Sequence, residues 1–269
     1  MNLTNKIIAL ASSVLFISCG DPSGGLVNLL PVNPPTAVTK ILSKVTTTVP
    51  ATAQVNTEVY NYTSSKLTSV FDSDNSVNYA LDYTNAQISK ITITRMTMPS
   101  MLSNLTYTGS QLTGISGVIY PDVTFESTLT YTAGKLTLID TDYYMMGVPG
   151  IERTKRMTLE YSGENVNRAI VQDEYFNIPS TTTKNILFTN FDLNPNPYRT
   201  IPTDFTIVKA VYSEQDDIIA GLSVNNYQNI EVQAGGSSAA HDVTLTYGAH
   251  TYPTDAVTPV NVKAFEYIP

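Results

Sequence analysis

A single cysteine, Cys19, occurs in 269 residues. One thiol cannot close an internal disulfide, so no cross-linked scaffold is available and the fold has to rest on its core. Tryptophan is absent, and histidine occurs twice, at His241 and His250. Two imidazoles and one thiol are too few for a transition-metal centre, and the sequence calls for no metal and no cofactor. Basic residues number 15 against 23 acidic ones, for a net charge of −8 and a pI near 4.7. Without a basic stripe, nucleic acid is not an expected partner. Charged residues make up only 14%, yet hydrophobic residues reach 42%, which excludes bulk disorder. No Gly-x-Ser-x-Gly elbow occurs, so a serine nucleophile has no anchor. The longest apolar run, Ile7–Ile17, falls short of the roughly 20 residues that a membrane-spanning helix needs.

That run follows Lys6 and leads into Ser18-Cys19-Gly20-Asp21. A short apolar segment behind a positive charge is an export signal and is set aside before the fold is read. Phe16-Ile17-Ser18-Cys19 resembles a bacterial lipoprotein signal, with Phe16 where leucine is usual. The resemblance implies that residues 1–18 are a signal peptide and that Cys19 becomes the acylated first residue, palmitate included. Several acyl chains hold a protein at a membrane where one chain is marginal. A plain secretory peptide, leaving Cys19 as a free thiol or removing it, is the alternative. The implied address is the cell envelope, anchored in the outer membrane, with the periplasmic or surface side left open. Residues 19–38 carry four prolines and three glycines, the composition of a tether. Residues 39–269 remain as a single β domain.

In this domain one phrase recurs: a tyrosine followed five residues later by an aliphatic residue. The copies are Tyr62 to Leu67, Tyr83 to Ile88, Tyr107 to Leu112, Tyr131 to Leu136 and Tyr161 to Val166. A sixth runs from Tyr247 to Tyr252, with Tyr252 in the aliphatic place. Two residues before each of the five tyrosines stands another large apolar residue: Tyr60, Leu81, Leu105, Leu129 and Leu159. Strand side chains alternate, so each such pair shares a face. The tetrads between tyrosine and aliphatic (TSSK, TNAQ, TGSQ, TAGK, SGEN) are turn chemistry. After the turn, Leu136-x-Leu138 and Val166-x-Arg168-x-Ile170 are expected to return on one face. Each unit is therefore a hairpin, and one hairpin is marginal alone, so the units share a sheet. This makes the repeat tyrosines packing residues.

The phrase distantly resembles the tyrosine–aspartate (YD) repeats of large secreted shells, although threonine or serine stands here where those have aspartate. It is closer to a Bacteroidetes-type lipoprotein family of unknown function with a porin-like β fold and Tyr-x-Tyr and Lys-Leu hairpins. Asn196-Pro197-Tyr198, Ser223-Val224-Asn225-Asn226, the Tyr247–Thr254 segment and Phe265-Glu266-Tyr267 match further segments of that family. The resemblance implies a porin-like sheet and no known activity. The expected fold is all-β: an antiparallel β-meander of repeated hairpins, a curved or half-barrel sheet with one short helix in the C-terminal half. Its exposed edges call for cover, from the tether or from the helix.

The hairpin phrase stops between Phe191 and Asn226, where Pro195 and Pro197 mark a loop. Thr203 or Asp204 is placed to N-cap a short helix through Phe205, Val208 and Tyr212, although Thr206-Ile207-Val208 suits a strand equally. A further helical turn over 215–220 ends at Gly221. Residues 233–240 read as a flexible loop, followed by strands near 242–248, 251–257 and 260–268.

No catalytic set stands out. His241-Asp242 has acid–base composition, but neighbours on a strand face opposite ways. Asp72-x-Asp74 and Asp140-x-Asp142 lack the glycine and glutamate of a calcium loop, and Asp72-x-Asp74 lies where a hairpin turn is expected. Tyr143-Tyr144-Met145-Met146 is too uniformly large to be buried by alternation and points to an exposed patch or a barrel-end cover. The candidate ligand-binding residues are Tyr143, Tyr144, Tyr198 and His241. The functional expectation is a membrane-anchored, non-enzymatic envelope module that binds a glycan or an envelope protein. A hydrolase acting on glycans through Asp/Glu pairs and a passive structural component are the alternatives. Membrane insertion as a porin is not expected, since the strands read as short and show no continuous lipid-facing band.

Overall fold

The structure, a computed structural model, describes residues 40–74, 76–96, 98–177, 180–212 and 216–269. The expected signal peptide, the tether and the lipidation at Cys19 lie outside the described residues. Twelve strands come first: β1 Ile41–Val49, β2 Gln54–Thr63, β3 Lys66–Asp72, β4 Val77–Thr84, β5 Gln87–Arg95, β6 Met98–Thr108, β7 Gln111–Tyr120, β8 Val123–Thr132, β9 Lys135–Met145, β10 Arg153–Ser162, β11 Asn165–Tyr175 and β12 Ser180–Thr189. A helical insertion carries α1 Thr203–Tyr212 and the single turn α2 Asp216–Ala220. Five strands close the chain: β13 Asn229–Ala234, β14 Ser237–Asp242, β15 Thr244–Tyr247, β16 Pro253–Val257 and β17 Val262–Ile268.

Each strand from β1 to β13 pairs antiparallel with the next, and β17 returns to β1, with Leu42 opposite Tyr267 and Val45 opposite Phe265. Among the described residues the ring is interrupted once. β14 and β15 follow one another across Val243, the first paired with β13 and the second with β16. The expected meander is thus a nearly closed barrel. Closure itself covers the outermost edges, because the first and last strands are neighbours.

The five repeat hairpins share one device. Their two-residue turns are Ser64-Ser65, Asn85-Ala86, Gly109-Ser110, Ala133-Gly134 and Gly163-Glu164. φ is positive at both residues of the first, second and fourth turns, and at the glycine alone in the third and fifth. These are the mirror-image turns whose twist matches a hairpin. In every copy the register slips by one residue immediately before the repeat tyrosine. Tyr131 stands opposite Leu136 and Thr130 opposite Leu138, so Thr137 is an extra residue. Such a bulge switches the face of the strand beyond it. Leu136 and Ile139 are therefore the buried residues and Leu138 points outward. On β11 the buried residues are Val166, Ala169, Val171 and Asp173. The expected single-face return of Leu136 with Leu138, and of Val166 with Ile170, is corrected by the bulge.

The tyrosine hydroxyls pin one hairpin to the next. Tyr62, Tyr83, Tyr107 and Tyr161 donate to the carbonyls of Leu42, Leu67, Ile88 and Leu136 at 2.8–2.9 Å. For the last three the acceptor is the aliphatic residue of the preceding unit, beside its bulge. The ladder is disturbed there, and the hydroxyl supplies a donor. In the sixth copy Pro253, rather than Tyr252, stands opposite Tyr247, and Tyr267 donates to the Pro253 carbonyl at 2.7 Å. Residues 233–240 are not a flexible loop: they belong to β13 and β14, joined by a tight turn at Gly235-Gly236.

Along β8 to β11 the inward positions are mostly apolar and the outward ones mostly polar. Phe125, Leu129, Ile139, Met157 and Leu159 are buried, while Glu126, Asp140, Asp142, Arg156, Glu160 and Arg168 stand on the outer face of the same or adjoining strands. Most of the described residues between Asn196 and Asn226 form a plug in the lumen. Their partners come from all around the ring: Leu42 of β1 to Thr200, Glu58 of β2 to Lys209, Tyr79 of β4 to Phe205, Phe125 of β8 to Tyr212, Val166 of β11 to Ser223 and Phe265 of β17 to Tyr198. Only a segment inside the barrel reaches all of these. α1 is accordingly buried from Phe205 to Val211 on every side, as a helix with no solvent face must be. It starts after Pro202, whose carbonyl accepts from Phe205 and Thr206, so Thr203 and Asp204 lie in the first turn rather than at the cap. The strand reading of Thr206-Ile207-Val208 is overruled because a helix satisfies its own backbone inside a lumen that offers no sheet edge.

Candidate functional site

The plug leaves space on more than one side, including about 390 Å³ beside Tyr131, Tyr161 and Asp204. Between it and the wall formed by β1, β2, β13, β14, β16 and β17 lies a cavity of about 530 Å³. Asp74, Ala239, Thr258, Val260 and Asn261 line it, and all lie at or near turns at the end of the barrel opposite the tyrosine turns. The wall is polar here because polar side chains occupy inward register positions. Asn56 and Glu58 share the face of Tyr60, Asp72 that of Val70, His241 that of Ala239, and Lys263 that of Phe265 and Tyr267. Glu58 and Asp72 stand opposite one another in the β2–β3 pair.

The plug contributes Lys209. Its Nζ lies 2.6 Å from Glu58 Oε1, with the two side chains only 6% and 18% exposed, and the Tyr60 hydroxyl donates to Glu58 Oε2. Burial pushes the Glu58 carboxyl up, but the Lys209 ammonium and the two hydrogen bonds outweigh it, so the net shift is downward. Burial likewise works against the Lys209 ammonium, and Glu58 outweighs it, so Lys209 stays charged. Asp72 goes the other way. Burial raises its carboxyl, with the Glu58 charge adding to it and the Asp74 N–H, 3.0 Å from Oδ1, opposing. Lys263 is lowered by burial, with Glu58 opposing and Lys209 adding, and titrates at about 8. Tyr198 and Tyr227 contribute phenol rings to the cavity, and burial holds the Tyr198 hydroxyl protonated. The arrangement offers donors, acceptors and both signs of charge against flat rings.

Of the residues expected to bind a ligand, Tyr198 and His241 meet in this cavity. Tyr143 lies in the core on β9, its ring 6.4 Å from Phe125 and 5.1 Å from the Arg153 guanidinium. Arg153 in turn donates to Asp173 at 2.8 Å. Tyr144 lies on the outer face of the barrel, and Met146 is 73% exposed at the strand end. The Tyr143–Met146 run therefore alternates and does not form one patch. Asp242 faces away from His241 and accepts from Asn229 at 2.9 Å. Asp140 and Asp142 accept from Arg156 and Thr154 of the next strand, and Asp72 bonds the Asp74 N–H as a turn residue while also facing the cavity. Glu58, Lys209 and Lys263 were missed from the sequence, and Asp72 was read only as a turn residue. The signal for the three strand residues is parity: each is a charge at a core-facing position.

No family model matches the sequence, and no curated protein resembles it. Solved structures share the fold. A porin-like protein from Bacteroides vulgatus, 10% identical, aligns over 86% of this chain and 100% of its own with a TM-score of 0.53. A porin-like protein from Bacteroides uniformis, 14% identical, aligns over 84% of this chain and 98% of its own with a TM-score of 0.54. At these identities the likeness is one of fold: a porin-like β-barrel.

Proposed function

We propose that this chain is an exported, lipid-anchored envelope protein whose barrel is a non-enzymatic binding module, taking a small polar ligand of the glycan type in the lumen cavity. The observation that carries the binding reading is the cavity itself. Ligand sites favour barrel mouths, and their usual volumes run from about 300 to 1,000 Å³. Amides of Asn56 and Asn261, charges of both signs and the rings of Tyr198 and Tyr227 suit a polyhydroxylated ligand with an apolar ring face. The anchor reading rests on Lys6 and the Ile7–Cys19 pattern. A barrel with charged residues outside and apolar residues within is the inverse of a membrane-spanning one, which supports a barrel standing in water beside the membrane that holds its lipid.

Isothermal titration with a panel of neutral, amino and acidic mono- and disaccharides tests the binding. One class is expected to bind, with affinity falling about ten-fold in Asn261→Ala, the loss of one or two hydrogen bonds. Absence of any heat across the panel overturns the glycan reading. Cys19→Ala is expected to move the protein from the membrane to the soluble fraction, and unchanged partitioning overturns the anchor.

A second reading, a hydrolase, is favoured by one observation: Glu58 and Asp72 are register partners whose carboxyls are pushed in opposite directions, the pattern of an acid and its partner in glycoside cleavage. Turnover of aryl glycosides that disappears in Asp72→Asn would replace the binding reading with this one.

A further inference from the structure

We propose that the mouth at the tyrosine-turn end of the barrel is a second binding site, which takes a small carboxylate-bearing ligand of the uronic acid type on Arg199 and Tyr131. The inference does not rest on the larger cavity, with which this space shares no lining residue.

The space, about 390 Å³, lies between three neighbouring hairpins and the plug, and its size is that of a small-molecule site. Ser110, Gly134 and Glu164, from the turns after β6, β8 and β10, border it on the wall side. Arg199 and the first turn of α1 border it on the other.

Tyr131 sets this place apart from the rest of the ring. In the other four repeats the tyrosine hydroxyl donates to a carbonyl of an earlier strand. By the same rule Tyr131 would donate to the carbonyl of Leu112, the aliphatic residue of the preceding unit. That bond is absent among the described residues, and Leu112 and Tyr131 both border the space. The one break in the row of staples thus coincides with the opening. Burial raises the Tyr131 hydroxyl, with the Asp204 charge adding, so it stays protonated. A half-buried hydroxyl that no protein group satisfies is left to water or to a ligand.

The charges around the space sort in the same way. Lys135 lies 2.8 Å from Glu164 and over the Tyr161 ring. Asp204 accepts from the Tyr107 hydroxyl at 2.9 Å. Arg199 is the charged group of this lining that makes no ion pair or side-chain hydrogen bond among the described residues. Its charge opposes the burial that raises the Tyr161 hydroxyl, so the guanidinium is within electrostatic reach of the wall. A guanidinium so placed offers a fork of N–H donors that matches a carboxylate. The Tyr131 hydroxyl is left for a ligand hydroxyl, and the Tyr131 and Tyr161 rings offer apolar faces to a sugar ring. Glu164 and Asp204 already have their partners, so they leave room for one negative charge. A dianion would meet two carboxylates and a single unpaired cation.

Isothermal titration of the full-length protein with galacturonate and with galactose, at pH 7 and low ionic strength, tests the site. Galacturonate is expected to bind at least about ten-fold tighter than galactose, and Arg199→Gln to remove that advantage. Arg199→Lys, which keeps the charge without the fork, is expected to recover part of it. Tyr131→Phe is expected to weaken galacturonate about three- to ten-fold. Neither Arg199→Gln nor Tyr131→Phe should move the unfolding midpoint, so a loss of binding is not a loss of fold. Asn261→Ala, in the larger cavity, is expected to leave galacturonate binding unchanged. Equal affinity for the two sugars, or no binding of galacturonate at millimolar concentration, overturns the site and leaves Arg199 and Tyr131 as hydrated surface groups. Galacturonate binding that falls in Asn261→Ala but not in Arg199→Gln also overturns it, and assigns the sugar to the larger cavity. The reverse pattern supports this mouth whatever the fate of the larger cavity.

Discussion

Glu58 and Asp72 face each other across β2 and β3 on the cavity wall, and their carboxyls are driven in opposite directions. Lys209, delivered by the plug, sits 2.6 Å from Glu58 and holds it ionised. Asp72 has no such partner cation among the described residues: burial raises its carboxyl, and the charge fixed on Glu58 adds to the rise.

Removal of the Glu58 charge strands Lys209 inside the barrel. Glu58→Gln is expected to lower stability at pH 7 by about 3–5 kcal/mol, the usual cost of breaking a buried pair from one side. Because the folded-state carboxyl lies below its ordinary value of 4.5, its contribution is complete above that value. It is lost as the pH falls through the lower folded value. Urea unfolding across the acid range reads both effects, and Glu58→Gln should flatten that part of the acid limb.

Lys263 predicts a second slope of the same sense, at mildly alkaline pH. Its folded value of about 8 lies below the ordinary 10.5, so between the two the unfolded chain binds more protons and stability rises with pH. The slope from this one group is at most about 1.4 kcal/mol per pH unit. Lys263→Met should remove it. The clean window runs from about pH 8 to pH 10, below the titration of unfolded tyrosines. Identical slopes in the two proteins would show that the amine is not desolvated.

The tyrosine staples are expected to be separable. Tyr83→Phe and Tyr161→Phe each lose a hydrogen bond to a carbonyl of the preceding unit, at about 1 kcal/mol, and being remote from one another should add. Tyr131 makes no such bond among the described residues, so Tyr131→Phe is expected to be close to neutral. Thermal unfolding of the three variants and the double variant measures this.

Gly117 has a different constraint. A Cβ there would lie 1.7 Å from the Leu102 carbonyl oxygen and 2.8 Å from its carbon. Backbone cannot swing aside as a side chain does, so β6 and β7 must part. Gly117→Ala is expected to cost about 3 kcal/mol or more, whereas Gly134→Ala, in an open turn at φ +79°, should cost about 1 kcal/mol from strain alone. Reversal of that order in chemical denaturation would contradict the packing.

The hairpins were visible in the sequence because turn chemistry and alternation are local: Ala133-Gly134 needs only its own positive φ, and Leu129-x-Tyr131 only the pleat. The bulge before each tyrosine was less visible, although Leu136-x-x-Ile139, recurring as Leu67-x-x-Val70 and Leu112-x-x-Ile115, carries its signature. Spacing of three is ambiguous until a strand is known to be a strand. Tyr198 and His241 were found by residue type, and their meeting in one cavity was not, since they lie on a plug and a wall that approach only when the ring closes. Glu58 and Lys263 were not singled out, because reading their parity as inward requires knowing that this lumen is packed.

The sequence by itself determined the class of fold: repeated hairpins of fixed phase, an all-β chain and a helix where the phrase stops. Those follow from interactions within about ten residues of chain. Only the tertiary structure decided that β1 meets β17, that α1 enters the lumen and that Lys209 finds Glu58, 151 positions away along the chain. Such contacts depend on the summed twist and curvature of many strands, which no short stretch encodes, and the cavity with its displaced titrations exists only after they form.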